Sequence, residues 1–292
     1  MRDPSLRARA TAPSDRAKGE KPMSEKDKNA LDEEFDLDDM LDFDDDDPLG
    51  ATAVSKKSLV IFFLIDTSGS MRGKKMGELN TVMEELIPEI RKVGEADTDV
   101  KLAVLTFSTD IKWMYTEPIN IEDFEWARLE AKGVTSMGAA FTELADRMSR
   151  NGFLNSPSLS FAPVIFLMTD GYPSDDYKAG LEALKANSWY KFGLKAALGI
   201  GNEANDEMLA EFTGSPETVV HAYSGNQLAQ MIKIVAVTAS QIGSKSMTLS
   251  DEHGDELQEE DVYATKQKML GQQIQDLVSS EGNDGDDFDT GW

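Results

Sequence analysis

The stretch SLVIFFLIDTSGSM at residues 58–71 decides the fold. Its residues 59–65 are all apolar, and Asp66 follows them directly. An unbroken apolar run predicts a strand that is buried on both faces, as in a parallel sheet covered by helices on both sides. The polar residues 66–70 then predict a tight loop at the carboxyl end of this strand, just before a helix begins.

Strand and helix patterns alternate from there to residue 242, and this alternation predicts an α/β fold with a doubly wound, mostly parallel sheet. Ligands of such sheets bind beyond the carboxyl ends of the strands, where both Asp66 and Asp170 fall. Ser174 is predicted to cap the third helix. The predicted strands are 58–66, 100–107, 111–115, 163–169, 192–200 and 218–222. The first predicted helix has apolar positions from Leu79 to Val93, and the later predicted helices are 136–150, 174–187, 206–212 and 227–242.

Negative charge is concentrated at the two ends of the chain. The 292 residues include 54 acidic and 29 basic side chains, which gives a net charge of −25. Residues 1–57 carry 16 acidic against 10 basic side chains, and residues 244–292 carry 13 against 3. Both ends are poor in apolar residues, so they cannot bury enough surface to offset the entropy lost on ordering. We therefore expect a folded domain at 58–243, a disordered acidic tail at 1–57 and an acidic C-terminal tail at 244–292.

Three segments of these tails have features of their own. Residues 31–47 hold eleven acidic and no basic side chains, with apolar residues between them. This pattern fits either a solvated run or a segment that orders on a basic partner. Residues 259–279 show a partial apolar stripe, which leaves open whether a helix there docks on the core, docks on a partner or is only nascent. The sequence after residue 22 also resembles a fresh start, which leaves open whether translation begins at Met1 or at Met23.

The composition excludes several classes of function. The absence of Cys excludes disulfides, zinc–thiolate sites and a cysteine nucleophile, and it is compatible with a reducing cytoplasm. The longest apolar run has seven residues, far short of the ~20 that span a bilayer, so we expect no membrane insertion. Excess negative charge repels phosphate backbones, so nucleic acid is not an expected partner. We expect a cytoplasmic protein.

Asp66, Ser68 and Ser70 stand at alternate positions of the loop after the first strand, so their oxygens can converge on one point. A carboxylate and two hydroxyls form a hard, all-oxygen ligand set, which suits Mg²⁺, with Mn²⁺ or Ca²⁺ as alternatives. Mg²⁺ demands octahedral coordination, so further groups are needed. Thr135, just before the second predicted helix, offers a third hydroxyl, and Asp170 offers a second carboxylate.

The three motifs together resemble a known family. A strand ending in DTSGSM, a GVT before SMGAAF, and a strand ending in MTDG are similar to a von Willebrand factor type A (vWA) domain, over about residues 58–243. The resemblance implies a metal-ion-dependent adhesion site (MIDAS), through which the metal captures an Asp or Glu of a protein partner. The residues that match the ligands of this site are Asp66, Ser68, Ser70, Thr135 and Asp170.

A narrower resemblance concerns PVIFLMTDGYPSDD and KIVAVTASQIGSKS, which are similar to bacterial stand-alone vWA proteins of the tellurium-resistance type. It implies an adaptor in signalling or stress response, with a Ser/Thr kinase and a PP2C-type phosphatase as partners. Arg72, Lys74 and Lys75 are predicted to steer the partner carboxylate, with a solvated helical turn as the alternative interpretation. Tyr172 is predicted to contact the partner on the opposite rim.

Other functions remain as alternatives at this stage. A vWA subunit of an AAA-ATPase or chelatase-like assembly would use the same domain, and a Mg²⁺-dependent hydrolase would use the same metal. Phosphatases with an aspartyl nucleophile place a second Asp two residues on, where this chain has Ser68. The motif at 199–204 fits G-x-G-x-x-A, but no acidic residue closes a strand about 20 positions later, as dinucleotide binding requires. We therefore predict a binding module and no enzymatic activity.

Deletion of residues 1–50 should leave the thermal transition of the folded domain nearly unchanged. The deleted segment lacks the apolar periodicity that would make it part of a core, so its removal takes little buried surface away. Differential scanning calorimetry of the full and shortened chains measures this, and a large drop in melting temperature would contradict it.

Overall fold

The computed structural model describes residues 56–92, 98–155, 160–243 and 259–281. Most of the predicted N-terminal tail, including the acidic segment 31–47, lies outside the described residues, as does Val93. Within the described residues, every helix is too short or too polar to cross a bilayer.

A seven-stranded sheet forms the centre of the protein, in the order β3-β2-β1-β5-β6-β7, with β4 also paired to β2. The five strands from β2 to β7 along this order are parallel, and only the two short strands β3 and β4 run antiparallel to β2. The bounds are β1 Lys57–Asp66, β2 Thr98–Phe107, β3 Ile111–Trp113, β4 Ile119–Asn120, β5 Val164–Thr169, β6 Leu194–Ile200 and β7 Val219–Ala222. The predicted α/β, doubly wound, mostly parallel sheet is therefore confirmed.

The helices cover both faces of this sheet. Because side chains alternate along a strand, β1 sends Ile61 and Phe63 to one face and Phe62 and Leu64 to the other, and all four are fully buried. The first pair packs with α1 and α6, and the second with α2, α3 and α5. The helices are α1 Lys74–Arg91, α2 Met137–Arg147, α3 Tyr177–Ala186, α4 Ser188–Phe192, α5 Asp206–Thr213, α6 Gly225–Gly243 and α7 Glu259–Glu281, with 3₁₀ turns at Gly69–Met71 and Pro216–Thr218.

Two local predictions were wrong. Ser174 does not cap α3, because its hydroxyl donates to the carbonyl of Thr135, and Asp176 caps the helix instead by accepting from the amide of Ala179. The strand predicted at 192–200 begins only at Leu194. The preceding residues form the short helix α4, because the side chain of Asn187 accepts the amides of Trp189 and Tyr190 and so starts a new turn.

The C-terminal helix α7 docks on the core, which decides among the options that its sequence left open. Leu270 and Ile274 are fully buried against the face that carries α1 and α6. The side-chain amide of Gln267 accepts the main-chain N–H of Lys195 at 2.9 Å and donates to its carbonyl at 2.7 Å. β6 pairs with β7 only from Ala197 onward. Gln267 therefore satisfies main-chain groups of β6 at a position where β7 is not yet paired with it.

Ile274→Ala should lower the free energy of unfolding by about 3 kcal/mol, because it removes buried methyl groups and leaves a cavity under α7. Gln273→Ala on the same helix is the matched control, since Gln273 is exposed, and its effect should stay within about 0.5 kcal/mol. Urea unfolding of both variants measures the difference. Equal stabilities would mean that α7 contributes nothing to the fold in solution.

Candidate metal centre

Two buried carboxylates lie at the carboxyl edge of the sheet. Asp66 is the last residue of β1, and Asp170 directly follows β5. These strands are parallel neighbours, so their carboxyl ends meet at the same edge. Both residues are at most 1% exposed, although they lie at the carboxyl edge of the sheet, where a ligand would approach.

The Asp66 carboxylate is held by one neighbour on its own loop and one on the adjacent strand. Its Oδ1 accepts the main-chain N–H of Ser68 at 2.8 Å, and its Oδ2 accepts the hydroxyl of Thr169 at 2.6 Å. Burial raises the pKa of Asp66 above its ordinary value, these hydrogen bonds oppose the rise, and the charge of Asp170 adds to it. Each carboxylate oxygen has a second lone pair, so these bonds leave acceptor capacity for a cation.

A chain of hydroxyls connects the first loop to the second carboxylate. The Oγ atoms of Ser68 and Ser70 are 2.9 Å apart, and the hydroxyl of Ser70 donates to Oδ1 of Asp170 at 2.7 Å. Four of the five residues predicted as ligands are thus joined by hydrogen bonds into one group. The link from Asp66 to Ser68 runs through the main-chain N–H of Ser68, and the links from Ser68 to Ser70 and on to Asp170 join oxygen atoms.

Thr135 is brought to this group through the main chain of its loop. The amide of Gly69, between the two serines, donates to the carbonyl of Gly133 at 2.9 Å, and the amide of Lys132 donates to the carbonyl of Thr67 at 2.7 Å. Thr135 itself is 7% exposed. Within the described residues its side-chain hydroxyl makes no hydrogen bond, whereas its carbonyl accepts both the amide and the hydroxyl of Ser174.

Lys75 lies inside this group, whereas its sequence position predicted a place on the rim. Its ammonium donates to Oδ2 of Asp170 at 2.7 Å, and its side chain is only 18% exposed. The other predicted partner contacts lie further out. Arg72 donates to the carbonyl of Ala131, the ammonium of Lys74 is 3.8 Å from Glu78, and Tyr172 is 66% exposed.

Sequence reasoning missed two residues that position the site. Thr169 fixes Asp66, as described above. Asp175 accepts the amides of Gly138 and Ala139 at 2.9 and 3.0 Å, so it caps the N-terminus of α2 directly after Thr135. The acidic pair in GYPSDD was a signal for a helix cap, but the helix that Asp175 caps is 36 residues upstream, which no local pattern reveals.

The residues present fit a hard divalent cation. Two carboxylates and three hydroxyls supply oxygen atoms only, which is the donor set that Mg²⁺, Mn²⁺ and Ca²⁺ prefer. In the described parts of the chain there is no cluster of three or more His, Cys, Asp or Glu residues that could hold a metal. A cation bound here would therefore depend on hydroxyl ligands, and Asp66, Ser68, Ser70, Thr135 and Asp170 are the residues that could provide the ligands.

The family model of the von Willebrand factor type A domain matches residues 61–236, and the chain belongs to this family. Among solved structures, proximal thread matrix protein 1 from the mussel byssus is 19% identical over 64% of this chain and 47% of that protein, with a TM-score of 0.49. It has also been solved with a zinc-occupied MIDAS motif. The pilus adhesin SpaC from Lactobacillus rhamnosus GG is 14% identical over 64% of this chain and 31% of that protein, with a TM-score of 0.51.

A von Willebrand factor type A structure from Catenulispora acidiphila is 17% identical over 64% of this chain and 43% of that protein, with a TM-score of 0.47. The chain therefore spans less than half of the length of these three solved proteins. A search of curated proteins returns no match. At 14% identity the SpaC structure supports the fold alone, and the residues of the site have to be argued from their own geometry.

Gly133→Ala should destabilise the protein more than Gly73→Ala. Both glycines have positive φ, 83° and 78°, so either variant carries backbone strain of about 1–3 kcal/mol. A Cβ at Gly133 would also lie 2.3 Å from Oγ1 of Thr109, whereas one at Gly73 would meet nothing within 4 Å. We expect an additional loss of about 1–3 kcal/mol for Gly133→Ala, measured by urea unfolding. Equal losses would show that the loop before Thr135 is not packed as described.

Proposed function

We propose that this protein is a metal-dependent protein-binding module. A divalent cation is held at the carboxyl edge of the sheet, and an Asp or Glu of a protein partner completes its coordination. The observation that carries the proposal is the group formed by the buried carboxylates of Asp66 and Asp170 with Ser68 and Ser70 between them, tied by main-chain hydrogen bonds to the loop of Thr135. Burying two carboxylates side by side costs stability even with hydrogen bonds from Ser68, Thr169 and Ser70 and an ion pair from Lys75, and this cost supports a role in ligand binding.

The protein side of the site prepares a place for an anion. When a cation is bound, it supplies a Lewis-acidic centre that can coordinate a carboxylate oxygen. The protein residues around the cation offer only two carboxylates. A carboxylate of the partner therefore supplies the further negatively charged ligand. Arg72 and Lys74 lie just past the loop and would attract that carboxylate during approach. Val134 and Tyr172 are 53% and 66% exposed next to ligand residues, and they offer apolar contact area around it.

We propose Mg²⁺ as the physiological cation, because all five candidate ligands offer hard oxygen atoms, with Mn²⁺ and Ca²⁺ as substitutes. The zinc in the MIDAS motif of the mussel byssus protein supports a divalent cation in general and does not favour Mg²⁺ over others. The narrower sequence resemblance supports a cytoplasmic adaptor in a bacterial kinase and phosphatase signalling or stress-response system, of the tellurium-resistance type.

We propose no catalytic activity for this site. Its titratable groups are Asp66, Asp170 and Lys75, and the structure commits each of them to hydrogen bonds with the others or with hydroxyls. Hydrolysis needs a general base positioned to activate water, and His221 on β7 instead lies 3.1 Å from Asp206. Turnover of generic phosphatase substrates with Mg²⁺ would overturn this part of the proposal.

Asp66→Ala should abolish binding of Mg²⁺ or Mn²⁺ while the protein stays folded, because it removes the charged ligand at the end of β1 and relieves the burial of a carboxylate. Asp110→Ala is the matched control, since Asp110 follows β2 at the same edge of the sheet and its side chain is 59% exposed. Isothermal titration calorimetry measures the metal affinity, and circular dichroism checks the fold. Unchanged affinity in Asp66→Ala would refute the metal site.

A pull-down from native lysate with the wild type and the same two variants then tests the partner. EDTA and Asp66→Ala should each release a partner that Asp110→Ala retains. A kinase or phosphatase in the eluate would support the adaptor role, and an AAA-type ATPase would support the chelatase-like alternative. A complex that survives EDTA at full affinity would place the partner on another surface.

A further inference from the structure

We propose that Lys75 makes binding of the cation and binding of the anionic partner depend on each other. Its ammonium acts as an internal counter-charge for Asp170, which weakens the site for a cation alone and favours the cation together with a carboxylate. This inference rests on the proposed function and concerns how the same site is regulated.

The position of Lys75 is unusual for a lysine. It is the second residue of α1, and the first turn of this helix contains no acidic residue. The helix dipole places partial positive charge there, so a lysine is unfavourable unless an anion compensates it. Lys75 finds that anion in Asp170 at 2.7 Å. Lys74, which stands next to it, turns outward and leaves 51% of its side chain exposed.

The pairing changes the charge that a cation meets. Asp66 and Asp170, counted as ionised, give the site a formal charge of −2, and Lys75 reduces it to −1. A divalent cation would bring the group to +1, where without Lys75 it would be neutral. Lys75 therefore opposes the cation by direct repulsion and leaves a positive site that attracts an anion.

The contact also occupies a ligand atom. Oδ2 of Asp170 accepts from the ammonium of Lys75 and Oδ1 from the hydroxyl of Ser70, so a cation at Oδ2 would share this oxygen with a positive charge that repels it. The lysine ammonium is a point charge on a flexible side chain. When it leaves Asp170, it can pair with a carboxylate that enters the same site. Because linkage is reciprocal, the anion then strengthens cation binding by the factor by which the cation strengthens anion binding.

Lys75→Gln tests this with Mn²⁺ as the probe. Removal of the ammonium should raise the Mn²⁺ affinity of the isolated protein by roughly tenfold, within the usual range of such couplings. Lys74→Gln removes the same charge one residue away and should leave the affinity within about twofold, because the side chain of Lys74 is 51% exposed and its ammonium lies 3.8 Å from Glu78. Lys75→Arg keeps the charge and should resemble the wild type. Titration calorimetry of all four proteins measures these affinities.

Acetate provides the second measurement. Titrations repeated in excess acetate, against chloride at the same ionic strength, should show a larger gain in Mn²⁺ affinity for the wild type than for Lys75→Gln. Melting temperatures in EDTA should fall more for Lys75→Gln than for Lys74→Gln, because two buried carboxylates then lack a positive neighbour. Lys75→Met retains the apolar stem and replaces Lys75→Gln if that variant does not fold.

The outcomes separate the inference from the proposed function. If the wild type binds Mn²⁺ and Lys75→Gln binds it equally well or more weakly, the inference is wrong and the metal site stands. If Lys74→Gln gains as much as Lys75→Gln, the effect is general charge and the inference is again wrong. If none of the proteins binds Mn²⁺, the proposed function fails, and the inference fails with it.

Discussion

Burial of two carboxylates at adjacent strand ends is the constraint on which the rest of the structure depends. A charge that loses its water must be compensated by hydrogen bonds or by opposite charge. Asp66 obtains hydrogen bonds from Ser68 and Thr169, and Asp170 obtains one from Ser70 and an ion pair from Lys75. These donors come from the first loop, the start of α1 and the end of β5. The local geometry of three elements is therefore fixed by two side chains.

The loops that carry the site are also bound to one another through their main chains. Gly69 is hydrogen-bonded to Gly133, and the loop after β5 holds the start of α2 through Ser174 and Asp175. Each loop thus supplies both a candidate oxygen ligand and a support for the next loop. Such mutual support holds the proposed hydroxyl ligands, which would bind metal weakly as individual groups, in a fixed arrangement.

The sequence predicted the features that depend on local pattern. The apolar run of β1 and the alternation of strands and helices predicted the sheet, and the oxygen-bearing residues at strand ends predicted the group that the structure assembles. What it could not predict depends on partners distant in the chain. Lys75 contacts Asp170, 95 positions away, and Asp175 caps a helix through amides that lie 36 and 37 positions before it. Ser174 contacts Thr135, 39 positions away, instead of capping α3. The weak stripe of α7 predicted a helix but not its docking surface, because that surface is built from residues far upstream.

The docking of α7 has a consequence for the sheet as a surface. A strand segment with an unpaired N–H and carbonyl is a template for pairing with another chain, and natural sheets protect such edges. Before its pairing with β7 begins, β6 presents both main-chain groups of Lys195, and the amide of Gln267 takes both. A side-chain amide has the same donor and acceptor as a peptide group, so Gln267 imitates one residue of a strand. Its single residue of pairing closes this part of β6, so the N–H and carbonyl of Lys195 are not open to a strand of another chain.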